Sequence, residues 1–319
     1  MEKYMRPSLI FLACIPLLLA SAAAADDCYK TDSGKISEDR QYQAMIFRSC
    51  LAEAEKGEVT AQFRLGLMYR DGLGTQRNYA EAIRWLRKAA EKGRAGAQNA
   101  LAILLSDGNG DWHDCDEAMR WYRKAADQGE ADAQFNLGLE YASGKCVKQD
   151  SAETAKWFRK AADQGLPDAE VNLAGMYLSG VGVKKDEDEA ERLYLAAARQ
   201  GHPMAEFDLG SFYEDQGNYQ EALRWYRKAL KQDYGSAMVN LGTMYLYGKG
   251  VKKDYQEAIR LFRKAADKGD SKAEYNLGII YEDGMGVRKN RSEAVKWYRL
   301  AAGHGHEDAE SRLRELKAK

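Results

Sequence analysis

The sequence predicts an all-α fold, a right-handed α-solenoid (superhelix) of tandem helix-turn-helix repeats. The segment KAAEKG at 88–93 returns every 36 residues, apart from one step of 32. A leucine column keeps the same steps, at Leu65, Leu101, Leu137, Leu173, Leu209, Leu241, Leu277 and Leu313. So does an alanine column, at Ala61, Ala97, Ala133, Ala169, Ala205, Ala237, Ala273 and Ala309. Three columns that share one short step establish a repeat array, in which stacked units share a core.

Each repeat is predicted to hold two helices, and residues 234–269 show why. Apolar residues at helical spacing indicate the first helix: Ala237, Leu241, Met244 and Tyr245. A loop with two glycines follows, and Asp254 is expected to cap the second helix. Gly269 is expected to end that helix. Small residues at fixed positions would let the paired helices approach closely.

The repeated pattern A-x-x-x-L-G-x-x-Y resembles the Sel-1-like repeat, a relative of the tetratricopeptide repeat. It reads Ala133, Leu137, Gly138, Tyr141 in one copy and Ala237, Leu241, Gly242, Tyr245 in another. A tryptophan column in the second helix supports the resemblance: Trp85, Trp121, Trp157, Trp225 and Trp297. The copy at 202–233 is four residues shorter, and its loop resembles an ordinary tetratricopeptide turn. The two repeat types are therefore expected to share one stack.

The domain organisation follows from the period and from the two ends. We expect a signal peptide at 1–25 and an N-terminal tail with a half-repeat cap at 26–57. Seven repeats are expected within 58–305, followed by a C-terminal capping helix at 306–319. The repeat boundaries are 58–93, 94–129, 130–165, 166–201, 202–233, 234–269 and 270–305.

The first 25 residues are typical of a cleavable secretory signal. Lys3 and Arg6 precede an apolar stretch, and small residues end at Ala25. A lipoprotein cleavage at Cys14 is the weaker alternative, because apolar residues continue to Ala20. The apolar stretch is short for a membrane span. The sequence therefore favours a periplasmic or secreted protein that does not span the membrane.

Four cysteines remain after a cut at residue 25, and an even number in an exported chain suggests two disulfides. Three connectivities are possible. Because contacts in a solenoid are local, Cys28–Cys50 and Cys115–Cys146 are favoured. Free thiols are the alternative.

No catalytic, metal or cofactor site is predicted. The four histidines lack zinc spacing, and the Gly-x-Gly segments coincide with the repeat turns. Residues 107–117 are acidic, and Asp107, Asn109 and Asp111 match the first ligands of a calcium loop. Later ligand positions do not match, so an exposed acidic turn is the preferred interpretation. The formal net charge of −1 gives no argument for nucleic-acid binding.

An asparagine column is the strongest functional signal: Asn136, Asn172, Asn240 and Asn276. Asparagine is a poor residue for the middle of a helix, so its recurrence asks for a reason. The resemblance to tetratricopeptide repeats implies a position facing a concave groove, where amides hold the backbone of an extended peptide. Phe135, Phe207 and Tyr275 lie beside the column. Packing within the repeat is the alternative for both columns.

The function predicted from these features is a protein- or peptide-binding scaffold in the bacterial envelope, acting as a monomer. A hydrolase directed at the cell wall, similar to a β-lactamase, is one alternative. A secreted factor that engages host proteins is another.

Overall fold

The computed structural model describes residues 40–108 and 112–318, which contain sixteen α-helices and no β-strand. In chain order these are α1 (Arg40–Glu55), α2 (Val59–Asp71), α3 (Tyr79–Glu91), α4 (Ala95–Asp107), α5 (Cys115–Asp127), α6 (Ala131–Ser143), α7 (Ser151–Ala162), α8 (Pro167–Ser179), α9 (Glu187–Arg199), α10 (Pro203–Asp215), α11 (Tyr219–Lys231), α12 (Gly235–Tyr247), α13 (Tyr255–Ala266), α14 (Ser271–Asp283), α15 (Arg291–Gly303) and α16 (Glu307–Ala318). The predicted all-α fold class is confirmed. The expected signal peptide, Cys28, Asn109 and Asp111 lie outside the described residues.

The helices alternate between two roles. We call the even-numbered helices A helices and the odd-numbered helices B helices. Within a unit, an A helix and the B helix that follows it form one hairpin, as α2 and α3 or α6 and α7 do, and a B helix also packs against the next A helix, as α5 and α6 do. The chain divides into two compact units, residues 1–97 and 98–319. Within each unit, this alternation of contacts is that of a helical solenoid.

The repeated leucines and alanines form the core of each unit. The leucines from Leu65 to Leu277 are at most 2% exposed, and so are the alanines from Ala61 to Ala309. Because these positions lie on one stripe of every A helix, each A helix turns that stripe toward its B helices.

A glycine in several A helices touches the B helix of the same hairpin. A Cβ atom at Gly138 would lie 2.6 Å from a ring carbon of Phe158, and one at Gly242 would lie 2.9 Å from Phe262. Gly210 and Gly278 meet Tyr226 and Tyr298 in the same way. In these four hairpins a side chain on the glycine would overlap the ring, so the ring lies directly on the backbone of the A helix.

Helix ends use the residues that the sequence pattern predicts. The Asp254 carboxylate accepts a hydrogen bond from the Glu257 N–H at 3.0 Å and so caps α13. Gly269, beyond the end of that helix, has φ +79°, the left-handed conformation expected of a terminal glycine. The shorter repeat has Asp233 at this position with φ +61°. Its carboxylate pairs with Lys264 and Lys268.

Buried polar side chains join three successive helices. Gln134 in α6 donates to the Ala126 carbonyl at the end of α5, at 3.1 Å. Its own amide oxygen accepts from Gln164, beyond the end of α7, at 2.8 Å. Glu170 and Glu206 accept from Gln200 and Gln232 at the equivalent positions. These bonds satisfy polar groups inside the core, where an unpaired group costs free energy.

We expect Gly138→Ala to destabilise the protein by about 1–3 kcal/mol, because the added methyl overlaps the Phe158 ring. Gly175→Ala is the control in a neighbouring A helix. A Cβ atom there meets only the Tyr194 hydroxyl, at 3.8 Å, so alanine should stabilise the helix by about 0.5–1 kcal/mol. Thermal denaturation followed by circular dichroism measures both. Equal shifts in the same direction would show that the ring contact is unimportant.

Candidate functional site

A partly exposed stripe runs along the A helices of the second unit. We call it the A-helix face. It comprises the fifth, sixth and ninth residues of α6, α8, α10, α12 and α14, which are Phe135, Asn136, Leu139; Val171, Asn172, Gly175; Phe207, Asp208, Ser211; Val239, Asn240, Thr243; and Tyr275, Asn276, Ile279. Most are half-buried, whereas the neighbouring leucines are buried. This stripe is therefore the part of each A helix that remains accessible beside the core.

The four predicted asparagines all lie half-buried on this face, but they differ in their hydrogen bonds. Asn136 Nδ2 donates to Asn99 Oδ1 at 3.0 Å, and Asn172 Nδ2 donates to the Asp168 carbonyl at 2.7 Å. Asn240 Nδ2 donates to the Tyr226 hydroxyl at 2.8 Å. Asn276 forms no hydrogen bond to any residue in 40–108 or 112–318. A primary amide has two donor hydrogens and one acceptor oxygen, so each asparagine retains capacity for a ligand.

The aromatic residues beside this column contact aromatic rings of the B helices. Phe135 stacks on Phe158, with ring centroids 5.2 Å apart. Phe207 lies 5.7 Å from Tyr226 and 5.4 Å from Tyr234, and Tyr275 lies 5.5 Å from Tyr298. All three are half-buried. Tyr275 also stacks on His306, with ring centroids 4.4 Å apart. Val171 and Val239, at the same position, are buried.

Asp208 occupies the asparagine position of α10 and differs from the column in charge. Burial raises the pKa of this carboxyl to about 7, and nearby His202 acts in the opposite direction. Its side chain forms no hydrogen bond or ion pair with the described part of the chain. A half-buried carboxylate without a donor is unfavourable, because charge is lost from water without compensation.

Cys115 and Cys146 form the disulfide expected from local pairing, with their Cα atoms 4.8 Å apart. Cys115 begins α5, and Cys146 lies in the turn between α6 and α7. The bond therefore joins the loop regions of two neighbouring repeats. The other expected pair stays a prediction, since Cys28 is not described. Cys50 is buried in α1.

The acidic loop beside the disulfide uses its first carboxylate within the protein. Asp107 Oδ1 pairs with Lys145 Nζ at 2.7 Å. His113 Nε2 lies 3.4 Å from Cys115 Sγ. The potential ligand atoms of His113, Cys115 and Cys146 all lie within 4.8 Å of one another. The two sulfurs are bonded to each other, however, and a metal ligand must be a thiolate.

None of the helices within 40–108 and 112–318 combines the length and apolar content that a membrane-spanning helix needs.

The fold and the A-helix face define a helical-repeat protein of the tetratricopeptide-like class. The Sel1 repeat model matches residues 59–93, 95–130, 131–166, 167–202, 235–270 and 271–306. The chain belongs to the Sel1 repeat family. A tetratricopeptide repeat model matches residues 186–237, which include the shorter repeat. Repeats of these two kinds generally mediate protein–protein interaction.

Two solved structures are similar over most of the chain. A protective antigen present in uropathogenic Escherichia coli strains is 35% identical, with a TM-score of 0.75. The match covers 86% of this chain and 59% of that one, so this chain spans about three-fifths of the antigen's length. A Sel1 repeat protein from Oxalobacter formigenes is 32% identical, with a TM-score of 0.68 and coverage of 88% and 83%. Yeast Tom70, at 17% identity and a TM-score of 0.50, shares the fold. No curated protein matches the chain.

A single column of the sequence does not show how residues of two columns combine. Asp208 replaces asparagine in α10, but only the structure shows that its carboxyl has no hydrogen-bond donor in the described chain. Tyr194 in α9 lies near Asp208, whose charge helps to raise the pKa of the Tyr194 hydroxyl after the larger effect of burial. A comparison of A-helix and B-helix columns across the repeats would have found both residues.

Removal of the Cys115–Cys146 disulfide should destabilise the protein by about 3–4 kcal/mol, because the bond closes a separation of 31 residues. The test compares thermal midpoints of the wild type and a Cys115→Ser/Cys146→Ser variant. Dithiothreitol should lower the wild-type midpoint to that of the reduced variant. A fall in the midpoint of the variant on reduction is expected if the predicted Cys28–Cys50 pair forms, and an unchanged midpoint would contradict that pair.

Asp208→Asn should stabilise the protein more at pH 8.5 than at pH 4.5. The carboxyl has a folded pKa of about 7 and an unfolded pKa near 4, so the folded state prefers its protonated form. The stability that the protonated Asp208 carboxyl contributes to the folded state is therefore complete below about pH 4 and is lost as the pH rises through 7. We expect a gain of about 1–2 kcal/mol at pH 8.5, after allowance for partial solvation. Thermal midpoints of both proteins across this range measure it.

The control for this titration is Asp283→Asn, which removes an exposed carboxylate from the end of α14. Its midpoint should differ from that of the wild type by the same small amount at both pH values. If Asp208→Asn behaved in this way too, Asp208 would be charged and well solvated in the folded protein.

Proposed function

We propose that this chain is a scaffold that binds an extended segment of another polypeptide on its A-helix face and acts outside the cytoplasm. The observation that carries the proposal is the row of half-buried amides on α6, α8, α12 and α14. Their spacing by whole repeats suits a ligand that crosses successive A helices. An extended backbone offers both N–H and C=O groups, and an amide can bind either one.

The hydrogen bonds of the asparagines support a division of roles. Asn240 donates to the hydroxyl of buried Tyr226, so it contributes to packing between α11 and α12. Asn276 has no bond to the described residues, and Asn172 bonds only to a carbonyl of its own helix. These two can turn to a ligand without breaking a hydrogen bond to another helix. Asn136 can bind a ligand with its remaining amide groups while it donates to the buried Asn99.

The aromatic residues supply the apolar part of the same surface. Phe135, Phe207 and Tyr275 are held by neighbouring rings and are half-buried. Rings fixed in this way lose little conformational entropy when a ligand binds. A polypeptide that places alternate side chains against them would bury apolar area while its backbone meets the amides.

The proposed location outside the cytoplasm rests on two features. The first is the character of residues 1–25, and the second is the Cys115–Cys146 disulfide. Structural disulfides persist in oxidising compartments and are rare in the cytosol. Maleimide labelling of intact cells, before and after reduction, tests this location. Labelling of Cys115 and Cys146 without reduction would refute it.

Loss of an amide should weaken binding at three of the four positions. We expect Asn136→Ala, Asn172→Ala and Asn276→Ala each to weaken binding about fivefold, the value of one hydrogen bond of about 1 kcal/mol. Only Asn172→Ala and Asn276→Ala should leave the thermal midpoint unchanged. Asn136→Ala and Asn240→Ala should lower it, because the buried Asn99 side-chain oxygen and the Tyr226 hydroxyl each lose a donor. The ligand is a partner captured from envelope fractions and reduced to its binding segment on a peptide array.

Fluorescence anisotropy of that labelled segment gives the affinities, and circular dichroism gives the midpoints. Ser236→Ala, an exposed change on the first turn of α12, is the control and should alter neither quantity. If the first three variants bind as tightly as the wild type, the amides do not hold the ligand.

A further inference from the structure

Each B helix of the second unit has a tyrosine or a phenylalanine at one fixed position. In three hairpins this residue is a tyrosine whose hydroxyl contacts a side chain of the A helix. Tyr122 contacts Ser106 at 3.2 Å, Tyr226 donates to Glu214 at 3.0 Å, and Tyr298 donates to Glu282 at 2.8 Å. Two hairpins have phenylalanine instead, Phe158 and Phe262. Their equivalent A-helix residues are Ala142 and Leu246. A polar residue thus accompanies each tyrosine, and an apolar residue accompanies each phenylalanine.

Tyr194 breaks this rule, because its equivalent A-helix residue is Leu178. Tyr194 is only 5% exposed. Its hydroxyl has no hydrogen-bond partner within residues 40–108 and 112–318. The hydroxyl oxygen is not one of the fully buried polar atoms that lack a partner in the described chain, so it reaches the surface. A phenylalanine would fill the same space without this oxygen, and the hydroxyl is therefore available to a ligand.

Two further replacements surround the same hydroxyl. In the next hairpin, Tyr226 also contacts Ser211 at 3.1 Å and receives a hydrogen bond from Asn240 at 2.8 Å. The residues equivalent to Ser211 and Asn240 around Tyr194 are Gly175 and Asp208. A Cβ atom at Gly175 would meet nothing but the Tyr194 hydroxyl, at 3.8 Å. The missing side chain thus leaves a notch in the A-helix face, with the hydroxyl in its wall.

Asp208 adds a negative charge to this notch. Its carboxylate has no bond to the described residues, and burial raises its pKa. His202 lies near it but is engaged elsewhere. The His202 Nδ1 accepts from the Ala205 N–H at 3.3 Å, and its Nε2 lies 3.3 Å from Asp168. The imidazole therefore does not bond to Asp208.

We propose that Gly175, Tyr194 and Asp208 form a subsite for a lysine or arginine side chain of the bound polypeptide. The inference rests on the proposed function, since the side chain belongs to that ligand. An ammonium or guanidinium group supplies the donors that the carboxylate and the phenolic oxygen lack. Phe207 and Tyr234, whose rings lie 5.4 Å apart beside Asp208, offer apolar surface to the aliphatic stem.

The first test uses n-butylammonium and n-propylguanidinium chlorides as probes, with n-butanol as the neutral analogue, at constant ionic strength. The full chain is titrated and followed by ¹H–¹⁵N NMR. We expect saturable shifts centred on Gly175, Tyr194 and Asp208 with both cations and none with n-butanol. Shifts spread evenly over exposed carboxylates would overturn the subsite.

Two variants fill or neutralise the notch without removing a packed residue. Asp208→Asn removes the charge, and Gly175→Ser places a hydroxyl where Ser211 stands in the next hairpin. Each should weaken binding of the cations at least about tenfold. Asp283→Asn, which removes an exposed charge on α14, should leave binding unchanged. Both variants should keep the wild-type thermal midpoint or raise it, so that a loss of binding is not a loss of fold.

A second measurement separates this inference from the proposed function. A phage-displayed library of random dodecapeptides is selected on the wild-type protein, and the selected peptides are measured against all variants. We expect peptides with a required lysine or arginine that bind Asp208→Asn and Gly175→Ser about tenfold more weakly. Selected peptides that bind these variants as tightly as the wild type would overturn the subsite alone. Failure to select any peptide would count against the proposed function itself.

Discussion

Close packing of a B-helix ring against a very small residue of the A helix sets the geometry of each hairpin. At Gly138 and Gly242 the ring of Phe158 or Phe262 occupies the space of a missing side chain. Two hairpins carry alanine at this position, Ala102 and Ala174, and both alanines are fully buried. In either case the two helices lie close enough for the leucine and alanine stripes to be buried between them.

This close approach also determines which polar atoms must be satisfied. A ring that lies against the A helix brings its hydroxyl, if it has one, beside that helix. Ser106, Glu214 and Glu282 supply partners at such places, and buried Gln134 joins its hairpin to the helix before it. The interior is therefore held together by apolar packing and by a small set of interhelical hydrogen bonds. Because the array is regular, a repeat that lacks one of these hydrogen bonds differs locally from its neighbours.

The A-helix face contains positions that are the same in most repeats and positions that differ between repeats. Its asparagines recur at one position, but one bonds to a tyrosine, another to an asparagine and a third to its own helix. Around Tyr226 the chain has Ser211, Glu214 and Asn240, whereas the equivalent residues around Tyr194 are Gly175, Leu178 and Asp208. Repeated residues mostly maintain the stack, whereas residues that change from copy to copy distinguish one part of the face from another. The chemistry of a ligand is expected to follow the second group.

Residue spacing alone predicts the all-α class, the hairpin period, the buried columns, the caps such as Asp254 and the Cys115–Cys146 pair. These features depend on short-range spacing or on contacts between neighbouring repeats, and both are evident from the amino-acid sequence. The packing of the helices is needed to show that Asn240 donates a hydrogen bond to Tyr226. It also shows that the side-chain oxygens of Tyr194 and Asp208 have no hydrogen bond to the described chain. The reason is physical: a hydrogen bond between helices depends on where two side chains end in space. Identical positions in two repeats therefore differ once a single neighbour, such as Ser211 or Gly175, has changed.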